Sequence, residues 1–239
     1  VSPRAARTAE TLCAAVLWVT LSLGICVGAL TVPVYTSALV QALKIPESAQ
    51  LPIDDVVRLS GMVRALVADR EFELLPLTWH GQPAFDPPAV SHLMDVRRVL
   101  DGARAATGAA AALLALYVGF SVGRRRWVPL AAGMRAGAYA LLGVIVLAGA
   151  FALLDFESFF TAFHGLFFES GTWTFPYDSM LIRLFPERFW VASGVAWAAL
   201  TAASAALLFV GARVLPSGAS GGAPVALREE VGSRMADNV

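Results

Sequence analysis

Four stretches of the chain are apolar almost without interruption, and mixed or polar segments separate them. They run over 12–32, 105–122, 137–154 and 189–210. Each is close to the roughly 20 residues that an α-helix needs to cross a hydrocarbon layer about 30 Å thick. The pattern therefore predicts an all-α membrane protein with four transmembrane helices. Arg4 and Arg7 precede the first run, which is longer than the apolar core of about 7–15 residues found in a secretory signal, and no small-residue cleavage site follows it. A lipidation signal at Cys26 is also excluded, because Ile25 stands where a small residue is needed.

The segment 33–104 is mixed in polarity and punctuated by Pro33, Pro46, Pro52, Pro76, Pro83, Pro87 and Pro88, so it is expected outside the membrane. Within it, Val56, Val57, Met62, Val63, Leu66 and Val67 recur near a helical period and predict an amphipathic helix over 54–68. A short strand is expected over Leu74 to Trp79. Asp86 supplies an N-cap and Pro87 a first-turn proline, opening a helix through Ser91 and Val96 that no residue breaks before Gly102. That helix is expected to continue into the second span, which would set His92 just above the membrane boundary.

After the third run, Asp155 and Glu157 lead into Phe156, Phe159, Phe160, Phe163 and Phe167, spaced as one helical face with His164 beside it. A turn at 173–176 follows, then a short helix, Ser179 to Phe185, capped by Asp178, and Pro186 opens the fourth span. The tail 211–239 is Gly/Ser-rich and charged after Pro216, the composition of a disordered segment.

Composition agrees with this reading. The chain is 57% hydrophobic and 15% charged, with a mean hydropathy of +0.66, far from a soluble domain. Formal net charge is zero and Lys44 is the one lysine, so nothing points to nucleic acid. Cys13 and Cys26 lie about 20 Å apart along one predicted helix and cannot bridge, which leaves no cysteine-based site. The distribution of arginine sets the orientation. The loop 123–136 carries Arg124, Arg125, Arg126 and Arg135 without an acid, whereas 155–188 carries mostly acids. By the positive-inside rule, 1–11, 123–136 and the tail are cytoplasmic, while 33–104 and 155–188 face outward with all three histidines.

The chemistry is expected at those outer ends. His92 and His164 each stand where a span meets water, and their segments flank spans two and three. The bland alternative is an interfacial aromatic belt with two unrelated polar tips. A metal site from His92, Asp95 and His164 lacks any paired-histidine spacing, and a Ser170/His164/Asp178 hydrolase lacks the Gly-x-Ser-x-Gly elbow. His80 reads as a loop residue.

Two motifs decide between these readings. Phe85-Asp86-Pro87-Pro88-Ala89-Val90-Ser91-His92-Leu93-Met94-Asp95-Val96-Arg97 and Phe163-His164-Gly165-Leu166-Phe167-Phe168, the latter followed by Trp173, Asp178, Ile182 and Pro186, resemble the bacterial integral membrane family of lipoprotein intramolecular transacylases. The resemblance runs from the first span through the fourth. Leu93 and the Pro87-Pro88 pair depart from the family pattern, which has methionine and acidic residues there. The resemblance implies transfer of the sn-2 acyl chain of a diacylglyceryl-modified cysteine to that cysteine's own α-amino group. It makes His92 and His164 the catalytic pair.

Asp95, Phe160, Phe163, Phe167, Trp173, Tyr177 and Asp178 are expected to line the substrate, with the Trp173 indole or the Tyr177 hydroxyl as a donor to the oxyanion. The implied partners are diacylglyceryl-modified lipoproteins and membrane lipids, and no metal or cofactor is called for. A non-enzymatic sensor or assembly protein that binds a partner through its outer segment is the alternative.

Overall fold

The computed structural model describes residues 2–69 and 78–216. Helix α1 spans Pro3–Leu30, with the Ser2 hydroxyl accepting from Ala5 N at its start. Helix α5 spans Pro87–Gly123, α6 spans Trp127–Leu154 and α9 spans Glu187–Val214. Among the described residues these four are the helices long and apolar enough to cross a membrane. Side chains such as Leu116, Leu147, Leu153 and Leu207 lie 71–90% exposed on them, an arrangement that only a lipid solvent makes favourable. All four cores match the runs seen in the sequence, but the helices extend past them: α6 begins ten residues before position 137, because Pro129 falls in its first turn, where its missing N–H is not needed.

Helix α1 packs against α5, α6 and α9, and α6 packs against α9. Lipid gives no hydrophobic incentive for helices to associate, so close van der Waals approach at small residues must do it. A Cβ at Gly24 would overlap Thr107 Oγ1 on α5, and one at Gly133 would sit 2.6 Å from Ala14 Cβ on α1. At the predicted inner end, Arg126 donates to Glu10 at 2.7 Å, and the Tyr117 hydroxyl reaches the same carboxylate at 3.4 Å.

The outer layer is built from α2 (Pro33–Ala42), α3 (Ile45–Ala49), α4 (Ile53–Ala68), α7 (Phe156–Gly165) and α8 (Met180–Leu184). Lys44 and Gln50, at φ of 50° and 53°, turn the chain between α2, α3 and α4. Helix α4 is the amphipathic helix expected from the sequence; Val56, Leu59, Val63 and Leu66 point inward against α2 and α5. Together with Val40, Ile45, Phe85, Leu93, Leu184 and Phe189 they form one core beneath the layer. Strand β1 (Thr78–Trp79) pairs antiparallel with β2 (Gln82–Pro83) across His80 and Gly81, both at positive φ. The remainder of the strand expected from Leu74, and the expected disordered tail after Pro216, lie outside the described residues.

Two helix starts bear on the site. Asp86 Oδ1 accepts from Ala89 N at 3.2 Å, so α5 begins where the sequence indicates and carries His92 and the second span on a single rod about 55 Å long. Asp178, expected to cap α8, does not do so. Ser179 has the extended backbone of a cap and its hydroxyl accepts from Ile182 N, so α8 starts one residue later than expected and is shorter. Arg183 Nε donates to Ala49 O at 3.1 Å, which ties α8 to the end of α3.

Candidate active site

Asp155 determines where His164 goes. Its extended backbone, φ −158° and ψ 97°, ends α6, and its carboxylate accepts from Ser158 N at 3.0 Å to start α7. Helix α7 thus leaves the direction of the third span and brings its last turn against the outer end of α5. His92 projects there from the second turn of α5 and is buried, while His164 is half-buried. The two imidazole centroids are 6.2 Å apart and the planes are inclined by 28°.

The surroundings are aromatic. Phe168 and His92 form an edge-to-face pair at 4.9 Å, Phe168 lies 5.7 Å from His164, and Phe175 lies 5.6 Å from His92. The rings of Phe160 and Trp173 lie tilted against His164, with centroids at 3.9 and 4.7 Å. His164 Nδ1 is 2.8 Å from the Phe160 carbonyl oxygen. A carbonyl can only accept, so Nδ1 carries the hydrogen and, in the neutral ring, Nε2 keeps its lone pair. Burial lowers the pKa of both histidines below the ordinary value. For His92 the charge of His164 adds to the fall and Asp95 opposes it; for His164 the Phe160 carbonyl opposes it. Both rings are therefore neutral at neutral pH. His92 Nδ1 and Trp173 Nε1 are shielded from solvent and have no hydrogen-bond partner among the described residues.

Of the residues expected at the site, His92, His164, Phe160 and Trp173 come together. Phe163, on α7, and Phe167, in the turn that follows it, are each about half exposed. Asp95 is paired with Arg98 and reaches His92 through its field alone. Tyr177 is 94% exposed. Asp178 borders a neighbouring cavity of about 250 Å³ with Phe85, Asp86, Pro176 and Ser179. Ser170 and Asp178 make no hydrogen bond to His164 among the described residues, and no three His, Cys, Asp or Glu side chains converge there. Phe168 and Phe175 are the site residues that the sequence reading left out. Phe168 stands four residues from His164, a spacing that on a helical turn puts two side chains on one face.

A family profile described as lipoprotein intramolecular transacylase Lit matches residues 11–190. Among solved structures, the fold is similar to the membrane-integral lipoprotein intramolecular transacylase Lit of Bacillus cereus, with a TM-score of 0.70 and 17% identity over 87% of this chain and 95% of that one. A variant of the same protein with one histidine replaced by arginine matches at a TM-score of 0.70 and 15% identity, covering 95% and 94% of the two chains. No curated protein matches. The profile covers well over half of the chain, both histidines included, and so the chain belongs to the lipoprotein intramolecular transacylase Lit family of membrane acyltransferases.

Proposed function

We propose that this acyltransferase moves the sn-2 acyl chain of a diacylglyceryl-modified N-terminal cysteine onto that cysteine's α-amino group, giving a lyso-form lipoprotein, with His92 and His164 as the acid/base pair. The observation that carries this reading is the anchored, neutral His164, whose Nδ1–H is held by the Phe160 carbonyl 6.2 Å, ring to ring, from a second buried imidazole. An α-amino group, with a reference pKa near 8, attacks an ester only when neutral, and it must lose a further proton once the C–N bond has formed. His164 Nε2 is the group with the lone pair to take that proton. The tetrahedral intermediate then collapses, the bond to the sn-2 glycerol oxygen breaks, and the proton taken up by His164 passes to that oxygen through His92, which gives up one proton as it gains another, so both rings end neutral.

The sum balances. An ester and an amine become an amide and an alcohol, and the proton lost by nitrogen ends on oxygen. Nucleophile and ester belong to one molecule, so positioning supplies much of the rate, and few catalytic groups are needed. The acyl chains stay in the membrane, while the cysteine reaches the aromatic layer, where Phe160 and Phe168 exclude water from the reacting atoms. The arginine asymmetry supports a site on the outer face and cytoplasmic termini. The test is mass spectrometry of a lipoprotein N-terminal peptide from a host without such activity. Expression of this chain yields a peptide with an acylated amine and one fewer ester; an unchanged diacylglyceryl peptide in the presence of abundant protein rejects the reading.

A further inference from the structure

We propose that Trp173 is itself catalytic: its indole N–H donates to the sn-2 carbonyl oxygen as that oxygen gains negative charge. The inference rests on the acyl-transfer reading above and adds to it a residue and a role.

An indole nitrogen is a donor and nothing else. Trp173 Nε1 is sealed from solvent and unpartnered among the described residues, a condition costing about 1–3 kcal/mol that folded proteins rarely leave uncompensated. Trp190 Nε1 donates to the Phe185 carbonyl at 2.9 Å, whereas Trp18 and Trp79 share the unpartnered state; what sets Trp173 apart is that its ring lies against His164. His164 does not accept from Trp173. The rings are tilted by 33° with centroids 4.7 Å apart, and the indole nitrogen makes no hydrogen bond to the imidazole. The indole therefore lies against the base with its single donor uncommitted.

In the tetrahedral intermediate, the oxyanion and the attacking nitrogen are bonded to one carbon. A donor beside the imidazole that takes the nitrogen's proton is thus positioned for the oxyanion as well, in water-excluding surroundings where such a bond is strongest. The route of the chain explains the placement. Gly171, at φ 87°, reverses the backbone after α7 and returns Trp173 over His164 and Phe160. Tyr177, the other donor expected from the sequence, is 94% exposed and does not compete for the role.

The test replaces Trp173 with benzothienylalanine, which keeps the bicyclic shape and carries sulfur in place of N–H; Trp173→Phe serves as a second variant. Purified full-length proteins are assayed on a synthetic diacylglyceryl-cysteine peptide for kcat and KM, and for binding of the diether analogue, which cannot react. Loss of one oxyanion donor costs about 10²–10³ in kcat. The isostere is expected to lose at least about 100-fold in kcat while KM and diether binding stay within a few-fold, as befits a bond formed in the transition state. An isostere with kcat within about threefold of wild type, or one that loses diether binding along with kcat, makes the ring structural and overturns the proposal. Wild-type protein that produces no lyso form overturns the transfer reading, and this proposal falls with it.

Discussion

At the scale of single residues, the account rests on two imidazoles that act as a unit. His92→Ala and His164→Ala are each expected to lower lyso-form production by at least about 100-fold, the lower range for a positioned acid or base, and the double variant little further. Small effects that add would mark two unrelated interfacial histidines. His80→Ala serves as the control, because its ring is 72% exposed on a turn beside Asp55. The pH profile follows from burial. Both pKa values are depressed, so the working neutral form of His164 persists below the ordinary histidine value of about 6.5. Protonation of the substrate amine, with its reference pKa near 8, sets one acid limb, and the histidines should add a second only beneath about 6.5; a second limb centred between the two values contradicts the desolvated pair.

The sequence made both histidines legible because each interrupts an apolar or aromatic run and sits in a recognisable motif. It did not separate Trp173 from Tyr177, since whether an indole or a phenol turns inward depends on how the 165–179 connection closes over α7.

At the scale of elements, spacing and caps read well. The apolar period of α4 and the Asp86–Pro87 start of α5 follow from local chemistry, and both stand in the structure. Helix ends were less legible. Both Asp178 and Ser179 can cap, and what selects Ser179 is the extended backbone fixed by the turn before it. Likewise, α6 starts at Trp127, straight after the turn at 124–126, because Pro129 falls in its first turn, where a missing N–H is tolerated. The cap at Asp155 carries a prediction. Asp155→Ala removes the acceptor for Ser158 N and should loosen the start of α7. Since α7 positions His164, activity should fall, and Asp155→Asn, an equally good cap, should restore most of it. Equal loss in both variants would assign the effect to the charge instead.

At the scale of the whole molecule, the four-span architecture was legible because a bilayer demands long uninterrupted apolar helices, whereas the folding of the outer layer over the site was not, since it depends on contacts between α3, α8 and α4 far apart in sequence. The arginine asymmetry predicts sidedness. In a background lacking Cys13 and Cys26, a cysteine at Ser170 should react with a membrane-impermeant thiol reagent in intact cells, while one at Arg125 should resist; both positions are exposed. The reverse pattern would move the site to the cytoplasmic face. The central claim is that the acyl chain moves within one molecule. The most direct measurement mixes two diacylglyceryl-cysteine peptides with the purified protein, one isotopically heavy in the sn-2 chain and the other heavy in the peptide, and reads the products by mass spectrometry. The account predicts two lyso forms that keep their original chain and peptide together; products that pair the heavy chain with the heavy peptide would contradict it.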